Sequence, residues 1–160
     1  MGSATDPDAA AEYWHRAFQA QMSGDLTAAI ELYQRSIAAC PTAEAHTFLG
    51  WTYSFQGRLE DAIEECQKAI AVDPTFGNPY NDIGAYLIEL GRSDEAIPWL
   101  ERAKLAKRYE PRHFPYVNLA RIYSSRSEVT RAIRELEQAL VIEPGDPTSL
   151  RMLAKLRTLN

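Results

Sequence analysis

Residues 42–74, TAEAHTFLGWTYSFQGRLEDAIEECQKAIAVDP, decide the fold, because the other segments of this 160-residue chain are variants of them. The stretch reads as two amphipathic helices folded back on each other. Leu49, Gly50 and Tyr53 share one face of the first helix, and Ala62, Ile63, Cys66, Ala69 and Ile70 recur at the spacing of a buried stripe in the second. Gly57 separates the two, since glycine takes the positive φ that lets a chain leave a helix C-terminus and reverse. Asp73-Pro74 ends the second helix, because proline lacks the next N–H and disfavours the α conformation in the residue before it.

The same pattern returns along the chain. Ala-Ile recurs as Ala29-Ile30, Ala62-Ile63, Ala96-Ile97 and Ala132-Ile133, at spacings of 33, 34 and 36 residues. Five residues before each alanine stands a turn residue: Gly24, Gly57, Gly91 and Ser127. Small residues follow seven positions after it, at Ser36, Ala69, Ala103 and Ala139, and further small ones sit in each first helix, at Ala17, Gly50, Gly84 and Ala120. Such positions let paired helices approach closely while larger side chains fill the space around them. Pro41, Pro74 and Pro144 close three of the four units.

A helix-turn-helix unit of this length with a Leu-Gly, Tyr, Ala, Pro pattern resembles the tetratricopeptide repeat. The resemblance runs from about Ala10 to Pro144 and is fullest in the second unit, with Leu49-Gly50, Tyr53, Gly57, Ala62, Ala69 and Pro74 in register. Ala17 and Ala120 depart from it by replacing the glycine, Cys66 stands where an aromatic is usual, and the third unit lacks its closing proline at Arg108. The resemblance implies an all-α fold, a right-handed superhelix of four helix pairs with repeats at about 10–42, 43–76, 77–112 and 113–146, and a C-terminal capping helix over 147–160. Residues 1–6 read as a disordered or non-native leader. Gly2 meets the first demand of N-myristoylation, but Asp6 stands where Ser or Thr is wanted.

Taken in order, Asp6-Pro7 opens a first helix reaching Met22, and a second runs over Leu26–Ala39. Thr42 caps the next pair. Asn78 before Pro79 and Ser93 are read as the caps of the third pair. Pro98 falls inside a helix, where a small kink is expected. The interval from Ala103 to Tyr116 is 13 residues, against 11 from Ala69 to Tyr80. Two extra residues are therefore taken up by a longer helix or a longer turn. The fourth pair is expected near Arg112–Ser124 and Glu128–Ile142. Asp146-Pro147 starts the last helix, whose Leu150, Leu153 and Ala154 cover the end of the stack.

The net charge of −5 gives no reason to expect nucleic acid, and no window is apolar enough to cross a membrane. Cys40 and Cys66 sit at unrelated positions and read as free thiols of a reducing, cytoplasmic protein. His15, His46 and His113 lie in different units without ligand spacing, so neither metal nor cofactor is expected. Glu110 and His113 are the only candidate acid-base pair, and an enzyme is the least favoured class.

By the resemblance, the second, fifth, ninth and twelfth positions of each first helix face the concave groove, where family members usually bind peptides or partner proteins. Those positions are Ala11, Trp14, Phe18 and Gln21; Glu44, Thr47, Trp51 and Ser54; Asn78, Asn81, Ala85 and Ile88; and Phe114, Val117, Arg121 and Ser124. Trp14, Phe18, Trp51 and the adjacent Phe55 make one half of the groove aromatic, and Asn78, Asn81 and Arg121 make the other polar. The two tryptophans either line the groove or pack between first helices. The clamp of Lys, Asn, Asn, Lys and Arg that holds chaperone C-terminal carboxylates in this family is replaced by Trp14, Phe18, Phe48, Asn78 and Asp82, so such tails are a poor ligand. A second candidate surface is the stretch 101–113, with a local charge of +3, where Lys104, Lys107, Arg108, Arg112 and His113 offer an anion or acidic-partner patch or a solvated helix face. Glu60, Asp61, Glu64 and Glu65 read as a solvated outer face. The function expected is a non-catalytic protein-binding adaptor, with a homodimer formed through the aromatic surface as the alternative.

Overall fold

A computed structural model describes residues 3–159, so the expectations for Met1 and Gly2 lie outside the described residues. Among those described are nine helices: α1 (Pro7–Met22), α2 (Leu26–Ala39), α3 (Ala43–Phe55), α4 (Leu59–Val72), α5 (Asn78–Glu89), α6 (Ser93–Lys104), α7 (Phe114–Ser125), α8 (Val129–Ile142) and α9 (Pro147–Arg157). Side-chain carboxylates or hydroxyls cap four of them. Asp6 accepts from the Ala9 N–H at 3.0 Å, Asp25 from Ala28 at 3.1 Å, Thr42 from Ala45 at 3.1 Å and Asp146 from Ser149 at 2.8 Å. Asn78 and Ser93 do not cap: each is the first residue of its helix, behind Gly77 and Arg92. The α6 helix continues through Pro98.

Gly24, Gly57 and Gly91 all take positive φ at the turn inside their pair, and Ser127 takes φ 60° at the fourth. The serine holds the same left-handed position at a steric cost that glycine avoids. The recurrent small residues lie where the two helices of each pair meet: Ala29, Ala62, Ala96 and Ala132 are fully buried, as are Ala17, Ala69, Ala103, Ala120 and Ala139. At Gly50 a Cβ would stand 2.9 Å from the Ala62 carbonyl oxygen, so Gly50→Leu would overpack the pair by about 1–3 kcal/mol.

The helices α1, α3, α5 and α7 each pack on the even-numbered helix that follows, each pair packs on the next, and α9 packs on α8. Successive first helices also touch, α3 with α5, α5 with α7 and α7 with α9, which places them along one face of an all-α superhelical array. The core between pairs is filled by Tyr33, Ile83, Leu100, Leu119, Ile122 and Leu136. The last helix buries Ser149, Leu153 and Leu156 against the fourth pair, whereas Leu150 and Ala154, expected on that face, are exposed.

The two extra residues are in the turn. The α6 helix ends at Lys104, and residues 105–113 fold back onto the shorter connection before α5. The Arg108 N–H donates to the Thr75 carbonyl at 3.0 Å and the Gly77 N–H to the Arg108 carbonyl at 2.9 Å, a two-residue parallel bridge. Gly77 is required here, because a Cβ on it would lie 2.6 Å from the Tyr109 side chain. Ala106 and Tyr109 are buried by this docking.

Candidate functional site

The aromatic residues of α1 and α3 form one continuous ribbon. Trp14 stacks on Phe18 with centroids 5.5 Å apart and planes 3° from parallel. Phe48 meets Trp14 edge-on at 5.1 Å and reaches Phe18, Tyr33 and Trp51, and Trp51 continues to Phe55 at 5.1 Å. Edge-to-face and offset contacts of this kind are the favourable ones for ring quadrupoles. The two tryptophans divide between the alternatives open from the sequence: Trp14 is half-buried and packed on the core, while Trp51 is 36% and Phe55 57% exposed. Phe48, outside the expected groove set, joins the two parts.

The polar residues of α5 and α7 also connect. Asn81 is buried, and its Oδ1 accepts from Asn118 Nδ2 at 2.9 Å. Arg121 Nη1 in turn donates to Asn118 Oδ1 at 3.4 Å. Asn81 and Arg121 are thus linked through Asn118, which the repeat positions did not single out. An amide among the apolar residues of a first helix was the available signal. Asn78 spends its Nδ2 on the Glu110 carbonyl at 3.2 Å, tying α5 to the connection before α7.

Between the two sets lies a cavity of about 330 Å³. Thr47, Phe48 and Trp51 of α3 form one wall, Asn78, Asn81 and Asp82 of α5 the floor, and Tyr109, Pro111 and Phe114 the far side. The docked 105–113 segment supplies Tyr109 and Pro111 of that far side, and the start of α7 supplies Phe114. Burial pushes the Asp82 carboxyl up to about 7, against the opposing effect of the Asn81 amide. A second cavity of about 270 Å³ continues along α7 past Asp82, Asn118 and Arg121 to Asp146. Trp14 borders a separate apolar cavity of about 290 Å³ with Pro7, Ala10 and Cys40 at the other end.

The basic stretch does not assemble into one anion site. Lys104 lies 2.9 Å from Glu135 and 3.3 Å from Glu101, over the Tyr116 ring. Arg108 bridges Glu44 and Asp73, each at 2.8 Å, and covers Phe76. Arg112 donates to the Lys107 carbonyl at 2.8 Å, His113 is buried, and Lys107 is exposed. Lys104, Arg108 and Arg112 hold the returning segment and its approach in place, because each finds a carboxylate or carbonyl that the fold brings near.

Two other expectations change. His113 approaches Asp146 at 3.6 Å, while Glu110 is exposed, so the two do not pair. Glu65 is buried rather than solvated: its carboxylate meets His46 Nδ1 at 2.8 Å and Lys68 at 3.0 Å. Burial would raise its pKa, but the hydrogen bonds from His46 and Lys68 outweigh that and hold it below the usual carboxylate range. Cys66 is buried and its thiol is pushed up, so it is inert, and Cys40 is also free. Among the described residues no group of three His, Cys, Asp or Glu is placed to hold a metal, and no helix is long and apolar enough to cross a membrane.

Models of the tetratricopeptide repeat match residues 43–76, 65–97 and 116–148. The second match begins inside α4, as a solenoid without a unique starting point allows. Among solved structures the chain is similar to the MamA protein, at 26% identity and TM-score 0.75 over 94% of this chain and 82% of that one. It also shares the fold of pilF from Pseudomonas aeruginosa, at 23% identity and TM-score 0.87 over 95% and 69%. A third likeness, at 25% identity and TM-score 0.59 over 63% and 94%, is to the second such domain of Spaghetti (RPAP3) bound to the HSP90 peptide SRMEEVD. The curated relatives are far longer, this chain spanning 11 to 23% of their length, and two of them are named as transferases. With the four helix pairs, the buried small residues and these matches together, the chain belongs to the tetratricopeptide repeat family.

Proposed function

We propose that the chain is a non-catalytic adaptor that binds a segment of another protein along the face formed by α3, α5 and α7. Tetratricopeptide repeats generally mediate protein–protein interaction, and the fold is typically a scaffold. The observation that carries the reading is the exposed Trp51 at the rim of a cavity whose floor is polar. Aromatic anchors in such a setting dominate binding energies, with about 2 kcal/mol or more lost on truncation, and neighbouring amides set register. Asn81 and Arg121 orient the segment through the shared Asn118 amide. A cytoplasmic setting suits the two free thiols.

The alternative is self-association through the same ribbon, since exposed Trp51 and Phe55 also suit a symmetric contact. Light scattering of the purified chain, alongside affinity capture by wild type and Trp51→Ala, separates the two. The adaptor reading expects a monomer, a captured partner lost in Trp51→Ala, and a nearly unchanged melt. A dimer that Trp51→Ala converts to a monomer replaces it with self-association, and an unfolded Trp51→Ala variant assigns the tryptophan to the core.

A further inference from the structure

We propose that the cavity between α3, α5 and the α6–α7 connection receives a basic side chain, arginine or lysine, of the partner segment; this deepens the groove reading above and rests on it. Phe48, Trp51, Tyr109 and Phe114 line its walls, and Asp82 lies at its floor. Among the described residues no lysine, arginine or histidine lies within ion-pair distance of Asp82. Arg121, which lines the adjoining cavity with Asp82, donates to the Asn118 amide oxygen and makes no ion pair with Asp82. Asp82 therefore presents a poorly solvated carboxyl to an open cavity, held up to about 7 by burial in spite of the Asn81 amide.

A second acceptor points to the same ligand. Asn78 donates its Nδ2 to Glu110, leaving its Oδ1 buried with no donor. A carboxyl with no cationic partner and an amide oxygen with no donor, beside aromatic walls, suit an alkylammonium or alkylguanidinium group, which pairs with the carboxylate, donates to the amide oxygen and lies against the rings. Other occupants fit worse. An apolar side chain would leave the Asn78 oxygen without a donor and desolvate the Asp82 carboxyl further, and an acidic one would be repelled. A metal ion would find one carboxylate where it needs several ligands.

The test selects random linear displayed peptides on the full chain, counter-screens them on Trp51→Ala, and measures the best binder on wild type and Asp82→Asn. The expected result is an arginine or lysine at one fixed position of the selected sequences. Replacing it with norleucine should weaken binding roughly tenfold or more, Asp82→Asn should do the same, and the two losses should not add. Binders that need Trp51 but carry no fixed basic residue, or that bind Asp82→Asn equally well, overturn the inference and leave the groove reading standing. If no selected peptide depends on Trp51, the groove reading fails and the inference with it. A melt of Asp82→Asn at least as high as wild type establishes that any loss is not one of folding.

Discussion

The two halves of the inner face are built on opposite principles. In the α1–α3 half, aromatic rings touch one another in a ribbon, and part of that ribbon is core. In the α5–α7 half, a hydrogen-bonded chain runs from the Asn81 amide through the Asn118 amide to the Arg121 guanidinium, with Asp82 beside it. Rings tolerate many arrangements, because their contact energy is spread over area. Amides and carboxylates do not, because each buried donor or acceptor left without a partner is costly. The aromatic half is thus suited to affinity, the polar half to discrimination, and the cavity lies at their junction.

The largest expected effect is on the aromatic side. Phe48→Ala removes the ring that meets Trp14, Phe18, Tyr33 and Trp51, and should destabilise the fold by about 3 kcal/mol, read as a lowered denaturation midpoint. A change under about 0.5 kcal/mol would mean that the ribbon is surface decoration. On the polar side, Asn118→Ala should cost about 2 kcal/mol, because Asn81 Oδ1 stays buried without its donor. The double variant Asn81→Leu/Asn118→Leu should recover much of that loss, since replacing both partners removes the unmatched group. Additive losses would show that packing, not the hydrogen bond, matters there.

Asp82→Asn should act in the other direction, and more weakly. The native carboxyl titrates at about 7 against an ordinary 3.8, so the native state binds more protons than the unfolded chain between those values. That contribution to stability therefore falls as pH rises from about 4 to 7, and the full cost is present above 7. Arg121 and Asp146 line the adjoining cavity, and Tyr86, Cys66 and Tyr109 feel the Asp82 charge. Asp82 is half-buried and partly screened, so the variant should gain about 1–2 kcal/mol at pH 8 and show no gain below pH 4. Paired thermal melts across that range check this, and a pH-independent difference would remove the titration from the account.

The array was legible because its signals are periodic. The turn glycines, the small residues at helix contacts and the limits of α1 and α2 follow from spacing and capping chemistry alone. What escaped is where the period fails. The two extra residues before α7 gave no sign of folding back onto Gly77, and that docking brings Tyr109 and Pro111 to the cavity. Its charges looked like an exposed basic patch, because partners such as Glu44, Asp73 and Glu135 lie far off in sequence. Glu65 was misread in the same way, its neighbour His46 being in the other helix of the pair. Asn78 had the composition of a cap but serves the returning segment instead.

Amide hydrogen exchange of the chain, free and saturated with the tightest selected peptide, tests the central claim most directly. The account predicts added protection in α3, α5 and α7 and in residues 105–113, with α2, α4, α6 and α8 unchanged. Protection concentrated on the even-numbered helices, with the inner face unaffected, would contradict it.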